Sequence, residues 1–365
     1  MQRHSRQLLL AALSVVFHAA SYQVQADEPH AREFSWHASE VTGLAFVPNG
    51  TRLISTSLRD DRISTIVPGA EALSSIGNAG AELTGARSHA VAVSPDGTQV
   101  AIAGFQATTV YDLNTRREQW QMSTTHDDYS PPFVIALAFS PDGQKLATSG
   151  SSSRVGGPHG YKGGLISIRD AASGDELLRI DNLSHTAGSI AYSPDGKLLV
   201  AGTYGAGGEL PEPGELRLWD ASSGELKCVW KAKDAVRAGE NHAAFHEISF
   251  SPDSRVIAIA SSDGPVRLWD VAAENVASEL KGHSPGTNRV VFHPNGRILA
   301  SAGRDRTIRL WDVQSTQQIA SFKFESPKIN ALRFSPDGNI LAAGGGNFLR
   351  DGEVRMWNIQ ELTSR

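Results

Sequence analysis

The chain has 365 residues, of which 40% are hydrophobic and 20% charged, and this ordinary globular composition excludes wholesale disorder. Its 34 Lys and Arg residues are outnumbered by 39 Asp and Glu residues, so the formal net charge is −5 and the basic excess of a nucleic-acid-binding surface is absent. The only cysteine, Cys228, excludes an intramolecular disulfide and a thiolate metal cluster.

The first 26 residues have the order of a secretory signal peptide. Arg3 and Arg6 precede an apolar run from Leu8 to Phe17, and a Val-Gln-Ala triplet ends at Ala26. We expect cleavage near Ala26, which leaves an exported mature chain of residues 27–365, periplasmic or extracellular, without a membrane span. An uncleaved membrane anchor is the alternative, although the run is shorter than the ~20 residues that a span needs.

A four-residue motif recurs along the rest of the chain. It reads Ser-Pro-Asp-Gly or a close variant, and its copies begin at Val47, Ser94, Ser140, Ser193, Ser251, His293 and Ser335. Pro at the second position and Gly at the fourth favour a type I β-turn. Short apolar runs rich in β-branched residues flank each copy, so each turn is predicted to join two antiparallel strands.

A second motif follows every turn but the first, at the end of a third predicted strand. It contains Trp-Asp or Trp-Asn at Trp219, Trp269, Trp311 and Trp357, with weaker copies at Tyr111 and Arg169. Four strands every forty-odd residues, with Trp-Asp ending the third, are typical of a β-propeller blade. The chain therefore resembles the WD-repeat (WD40) β-propeller family, as an exported, bacterial-type member, over roughly residues 31–361. The resemblance implies an all-β fold, a single propeller of four-stranded antiparallel blades.

Seven turn motifs predict seven blades. The last repeat reaches Asn358 and leaves too few residues for a fourth strand, whereas the stretch from Arg32 to Trp36 is spare before the first repeat. We expect this N-terminal strand to complete the last blade, because that pairing covers an exposed sheet edge and closes the ring. The alternative is a six-bladed ring with the first repeat decorating it.

The resemblance also implies a buried polar network in the sixth repeat. Its members are His283, Ser301, Asp305 and Trp311, whose side chains are expected to form hydrogen bonds in series. These residue types also match a hydrolase triad, but their spacing favours a structural role over a catalytic one.

Two other repeats keep only part of this network. The fifth repeat retains Asp263 and Trp269 but has Ile259 where the serine would fall. The first retains His37 and Ser55 without a tryptophan, so the sequence leaves open whether it forms a full blade.

Four insertions lengthen the stretch of the chain that forms repeats two to five, compared with the shorter later repeats. They span residues 124–132, 151–162, 204–215 and 231–242, and the resemblance implies that all four emerge on one face of the ring. Aromatic and arginine side chains among polar neighbours suit a protein or peptide interface. The candidate partner-binding residues are His126, Asp128, Tyr129, Arg154, His159, Tyr161, Lys162, Tyr204, Glu209, Arg237 and Glu240.

The sequence contains no catalytic constellation, cofactor motif or strong metal-ligand set. It therefore predicts a non-catalytic scaffold that binds a protein or peptide partner, without nucleic acid, cofactor or metal, and leaves the oligomeric state undecided. The main alternative is a propeller enzyme, a hydrolase or lyase, with a site at the channel mouth on the same face. Two lesser alternatives are neutral loop variation and a cation site at His126, Asp127 and Asp128.

Overall fold

A computed structural model describes residues 31–37, 39–58, 64–66, 74–75, 88–104, 107–123, 133–151, 163–204, 214–232, 244–346 and 352–363. The predicted signal peptide, residues 1–26, lies outside these ranges. The described residues form strands and one short helix, α1 (Gln360–Thr363). None of their helices combines the length and the apolar character that a membrane crossing requires.

The strands follow one another in groups of four. The chain begins with β1 (Ala31–His37) and continues with β2 (Val41–Phe46), β3 (Leu53–Ser57), β4 (Ser64–Ile66) and β5 (Ser74–Ser75). The second group contains β6 (Ser88–Val93), β7 (Gln99–Gly104), β8 (Ala107–Asp112) and β9 (Glu118–Ser123). The third contains β10 (Phe133–Phe139), β11 (Lys145–Ser151), β12 (Gly164–Asp170) and β13 (Glu176–Leu183). The fourth contains β14 (Ala187–Tyr192), β15 (Leu198–Thr203), β16 (Glu215–Asp220) and β17 (Leu226–Lys231).

The remaining groups repeat this order. The fifth contains β18 (Phe245–Phe250), β19 (Val256–Ser261), β20 (Val266–Asp270) and β21 (Asn275–Leu280). The sixth contains β22 (Thr287–Phe292), β23 (Ile298–Gly303), β24 (Thr307–Asp312) and β25 (Gln318–Lys323). The last strands are β26 (Ile329–Phe334), β27 (Ile340–Gly345) and β28 (Gly352–Asn358).

The strands from β2 to β25 form six antiparallel sheets in sequence order, and β26 to β28 form a further sheet with β1, which confirms the prediction of four-stranded propeller blades. Within the described ranges there are seven such sheets, and we number the blades one to seven from β2 onward. In blade seven the order is β26-β27-β28-β1, so the N-terminal strand pairs with the C-terminal one. Arg355 on β28 also donates a hydrogen bond to Glu33 on β1 over 2.9 Å.

The innermost strands of neighbouring blades pack against one another around a central channel. β2, β6, β10, β14, β18, β22 and β26 contact each other in that order, and β26 contacts β2. Seven buried apolar clusters lie in the described part of the fold, each shared by two neighbouring blades. The cluster of Val41, Leu44 and Leu53 with Val354 and Met356 joins blade one to blade seven. The hydrophobic core therefore lies between the sheets.

The repeated tetrapeptide forms the turn between the first two strands of a blade. At Ser94 the carbonyl accepts a hydrogen bond from the Gly97 amide over 2.8 Å, and Gly97 has a φ of +72°, which glycine adopts without strain. The Ser94 hydroxyl donates to Asp96 over 2.5 Å, and Asp96 accepts from the Thr98 amide over 3.0 Å. Equivalent bonds recur at four further copies of the motif. The predicted turns are confirmed.

Candidate functional site

The antiparallel pairing places one set of strand ends on a single face of the ring. Thr287 at the start of β22 pairs with Gly303 at the end of β23, and Thr307 at the start of β24 pairs with Lys323 at the end of β25. The segments between blades, and those between second and third strands, therefore leave from the same face, which we call the loop face. All four insertions connect strand ends on this face.

Most of the predicted partner-binding residues cannot be placed in this geometry. His126, Asp128, Tyr129, Arg154, His159, Tyr161, Lys162, Glu209, Arg237 and Glu240 lie outside the described residues. Tyr204 is described, and it directly follows β15 at the loop face, where it forms a bridge with Ala244 at the start of blade five.

Every innermost strand carries a β-bulge close to the loop face. One residue has no partner on the second strand, because its two neighbours pair with consecutive residues there. In blade five, for example, Phe245 pairs with Ser261 and Glu247 pairs with Ala260, so His246 has no opposite residue on β19. The seven bulge residues are Thr42, His89, Ile135, Gly188, His246, Asn288 and Asn330. They surround the mouth of the central channel.

The channel holds a cavity of ≈ 580 Å³ that is lined by residues of all seven innermost strands. The residue directly after each bulge residue also lines the cavity, and these seven residues form one layer of the channel wall. In five blades this residue is small, whereas blades five and six present Glu247 and Arg289. The small residues are Gly43, Ala90, Ala136, Ser189 and Ala331. Charge is therefore concentrated on one side of the channel.

Glu247 links three blades through hydrogen bonds. Its carboxylate accepts from Arg333 of blade seven over 2.8 Å and from the Val290 amide of blade six over 3.0 Å. Arg289 donates instead to the carbonyl oxygens of Asn330 and Asn288, the latter over 3.0 Å. Arg333 is thus paired with a carboxylate, while Arg289 is held by backbone oxygens.

Tyr204 covers the bulge position of blade four. A side chain added at Gly188 would begin 2.4 Å from Cζ of the Tyr204 ring, so the ring occupies the space that the glycine leaves open. The ring centroid also lies 5.9 Å from that of His246, the bulge residue of blade five. Burial raises the pKa of Tyr204, and this rise is opposed by nearby Arg289. The phenol therefore remains a hydrogen-bond donor at neutral pH.

An exposed arginine, Arg304, also contacts His246. It lies between β23 and β24, is exposed, and donates to His246 Nε2 over 3.3 Å and to the Asn288 side chain over 3.4 Å. Burial, together with the charges of Arg289 and Arg304, lowers the pKa of His246 to about 3. At neutral pH the uncharged imidazole accepts a hydrogen bond from Arg304, which keeps its positive charge. We call Tyr204, His246, Arg289 and Arg304 the basic sector of the mouth.

The four residues of the sixth-repeat network lie together in blade six. His283 Nδ1 lies 3.0 Å from Asp305, its Nε2 lies 2.8 Å from the Ser301 hydroxyl, and Trp311 Nε1 donates to the same hydroxyl over 2.8 Å. Ser301 is 0% exposed. Its hydroxyl is enclosed between the indole and the imidazole, so no substrate can approach it, and the arrangement supports a structural role.

Blades five and one show the predicted departures. In blade five Ile259 stands at the serine position, and the buried Trp269 Nε1 has no hydrogen-bond partner among the described residues. In blade one His37 and Ser55 form a 2.8 Å hydrogen bond. Ile66 replaces the tryptophan there, since it pairs with Leu53 as Trp311 pairs with Leu299.

Metal ligands are sparse in the described part of the chain, where no group of three His, Cys, Asp or Glu residues could hold a metal ion. The candidate cation site at His126, Asp127 and Asp128 lies outside these residues.

The basic sector was missed by the sequence analysis, apart from Tyr204. Alignment of the repeats on their turns carries a signal, because Glu247 and Arg289 stand four residues before Ser251 and His293, where five other repeats have small residues.

Comparison with known proteins supports the same architecture. The family model described as WD domain, G-beta repeat matches residues 29–64, 120–155, 236–270, 274–312 and 316–358, together more than half of the chain. The chain is 28% identical over 211 residues to COMPASS component SWD3 of Saccharomyces cerevisiae, an alignment that covers 49% of this chain and 62% of that protein. It is 27% identical over 182 residues to WD repeat-containing protein SL1-17 of Schistosoma mansoni, covering 50% of each.

A shorter alignment relates the chain to Protein groucho of Drosophila melanogaster, with 30% identity over 100 residues, or 27% of this chain and 12% of that protein. The alignments span less than two thirds of the length of these curated relatives. The five family-model matches cover repeats one, three, five, six and seven of the propeller described above. The chain belongs to the WD-repeat family.

Proposed function

We propose that this protein is an exported, non-catalytic scaffold that binds a protein or peptide partner through its loop face. The observation that carries the proposal is the open cavity of ≈ 580 Å³ in the channel, with exposed or half-buried polar side chains at its mouth. A concave site with a few oriented polar groups is typical of ligand recognition. The Ser-His-Asp group of blade six is buried and does not reach this cavity.

The relatives support a scaffold role. Proteins with WD repeats typically act as platforms for protein interactions, and one of the relatives is named as a component of COMPASS. We therefore assign the same kind of activity to this chain, with a partner of its own.

We further propose that blades two to five contribute most of the interface. Their four insertions connect strand ends on the loop face, beside the mouth, and long loops on a rigid scaffold often carry binding residues. In this view Tyr204 forms the inner edge of a surface that includes the candidate residues of those insertions.

The ring that presents this face is proposed to contain seven blades, with β1 holding its two ends together. The pairing of β1 with β28 and the shared cluster between blades one and seven support this closure. A rigid ring keeps the mouth pre-formed, which reduces the entropy lost on binding.

Crosslinking and affinity capture test the binding face. We expect the native protein to capture a partner from the exported fraction of its source cells, and replacement of residues 151–162 by a short turn to abolish that capture. Lys197→Ala, on the opposite face, is the control and should leave capture unchanged. Capture that survives the replacement contradicts the assignment of the interface.

Two further measurements test the remaining parts of the proposal. N-terminal sequencing of the protein from a periplasmic or secreted fraction should give a chain that begins at Asp27, and an intact Met1 would contradict cleavage. Elemental analysis and a broad hydrolase screen should detect no bound metal and no turnover, and reproducible turnover would favour the enzyme alternative.

A further inference from the structure

We propose that the basic sector of the mouth binds the carboxylate of an Asp or Glu side chain from a partner peptide. This inference rests on the proposed function and names the chemistry of the ligand at that same site. Tyr204, His246, Arg289 and Arg304 come from three neighbouring blades and meet at the channel mouth, as described above.

The charge of this sector is not balanced by the described part of the protein. Arg333, deeper in the channel, is paired with Glu247 over 2.8 Å. For Arg289 and Arg304 no carboxylate oxygen of a described residue lies within 4 Å, and the same holds for Lys328, which lines the cavity. Arg289 and Lys328 line the cavity and Arg304 lies at the loop face in contact with His246, whereas the lining contains one paired carboxylate, Glu247, and one other, Glu40. Glu40 is only 8% exposed and accepts a hydrogen bond from Asn330.

Both arginines are held by hydrogen bonds, and each has a guanidinium nitrogen without an acceptor among the described residues. Arg289 uses Nε and Nη1 for the two asparagine carbonyls, so Nη2 remains without an acceptor among the described residues. Arg304 uses Nε and Nη2 for Asn288 and His246, so Nη1 has no acceptor within the described part of the chain. Because neutral groups hold both side chains, they keep their full charge, and little conformational entropy is lost when a ligand binds.

The free donors match a carboxylate better than a phosphate. A carboxylate has one charge and two oxygens, and both oxygens can accept hydrogen bonds from guanidinium N–H groups. A phosphate monoester carries nearly two charges at neutral pH and three oxygens, and its additional charge would lie in a cavity that also contains the carboxylates of Glu247 and Glu40. The Tyr204 hydroxyl can supply one further neutral donor.

Peptide display tests the inference on the native, full-length protein. A random-peptide library is selected against it, and the enriched peptides are measured by fluorescence anisotropy. We expect enriched peptides to share an Asp or Glu, and replacement of that residue by Asn or Gln to weaken binding at least about tenfold, the size expected for a charge-assisted pair. The affinity should fall as salt concentration rises.

Protein variants locate the site. Arg304→Gln should weaken binding of the same peptides at least about tenfold, and Arg289→Gln should also weaken their binding. Arg255→Gln is the matched control, because it removes the same charge from an exposed position next to the Ser251 turn on the opposite face. Arg304 is exposed, so its variant should keep the native melting temperature, and that measurement excludes unfolding as the cause.

The possible results distinguish a failure of the carboxylate-binding inference from a failure of the proposed scaffold function. Peptides that lack an acid, keep their affinity in Arg304→Gln and lose it when residues 151–162 are replaced would overturn the carboxylate site but leave the scaffold intact. A phosphoserine peptide that binds at least about tenfold more tightly than its glutamate version would overturn the choice of ligand. Failure of the native protein to enrich any peptide or capture any protein would overturn both.

Discussion

The ring of Tyr204 fills the space beside Gly188. A Cβ atom built on Gly188 would lie 2.4 Å from Cζ and 2.7 Å from the hydroxyl oxygen of Tyr204, closer than any ordinary contact. Gly188 is the bulge residue of blade four, and the aromatic ring takes the position that a side chain occupies at the other bulges. The absence of a side chain in one strand therefore decides where the tyrosine lies at the channel mouth.

This relationship predicts coupled effects of substitutions. Gly188→Ala should lower the free energy of unfolding by about 1–3 kcal/mol, because the methyl group and the ring cannot both fit without a backbone or rotamer shift. In a Tyr204→Ala background the same substitution should cost much less, because the ring is gone. Denaturant unfolding of the native protein, both single variants and the double variant gives the coupling energy. Equal costs of Gly188→Ala in the two backgrounds would contradict the packing described here.

The network of blade six predicts a difference between two buried serines. Ser301→Ala leaves both Trp311 Nε1 and His283 Nε2 without their partner, whereas Ser55→Ala in blade one removes only the hydrogen bond to His37. Each buried polar group left unsatisfied costs about 1–3 kcal/mol, so Ser301→Ala should destabilise by about 2–4 kcal/mol and Ser55→Ala by about half as much. Urea unfolding measures both, and a larger loss for Ser55→Ala would refute this account.

The pairing of β1 with β28 can be tested by shortening the chain. A protein that begins at Asp27 keeps β1, whereas one that begins at Ala38 loses it and exposes the edge of β28. We expect the shorter protein to melt at least about 5 °C lower, or to aggregate, since a whole strand and its contacts are lost. Glu33→Gln is the control, because it removes only the exposed ion pair with Arg355 and should have a small effect. Equal melting temperatures of the two lengths would exclude β1 as the closing strand.

The turn aspartates predict a loss of stability in acid. At Asp312 the amide of Ser315, followed by the Arg297 guanidinium and the Ser315 hydroxyl, lowers the pKa to about 2. The unfolded chain has a pKa near ~3.9 at such a residue, so it binds a proton first as the pH falls. The contribution of Asp312 is therefore complete above about pH 4 and is lost between about pH 4 and about pH 2.

Replacement of this carboxylate removes that pH dependence. Asp312→Asn should show a smaller decline in unfolding free energy between pH 5 and pH 2.5 than the native protein, measured by urea unfolding at several pH values. The turn aspartates Asp96, Asp142, Asp195, Asp253 and Asp337 also have a lowered pKa, so some decline should persist. Parallel pH profiles of the two proteins would contradict the role of Asp312.

The parts of the fold that depend on local chemistry were predictable from the sequence. The turn at Ser94 forms its hydrogen bonds within six residues, so the tetrapeptide itself determines the geometry. The Ser301 network was expected from the resemblance of the sixth repeat to the WD-repeat family. Its absence in blade five was also predictable, because Ile259 cannot accept a hydrogen bond from Trp269.

The basic sector could not be predicted in this way because it depends on the bulges. In a regular strand adjacent residues point to opposite faces, so His246 and Glu247 would not both face the channel. The bulge adds one residue and changes this alternation, and both residues line the cavity. Arg304 joins them from another blade through a contact with His246 that no pattern within one repeat reveals. The partner-binding role of the candidate residues in the four insertions, Tyr204 included, stays a prediction.

The bulges also affect how this protein can change during evolution. A bulge residue has no opposite residue in the register of the second strand, so we expect a new side chain there to leave strand register unaltered. Within this one chain the seven positions already hold threonine, isoleucine and glycine, two histidines and two asparagines. Except at Gly188, where the Tyr204 ring fills the space, we expect single substitutions at these positions to change the side chains at the mouth while the blades stay intact.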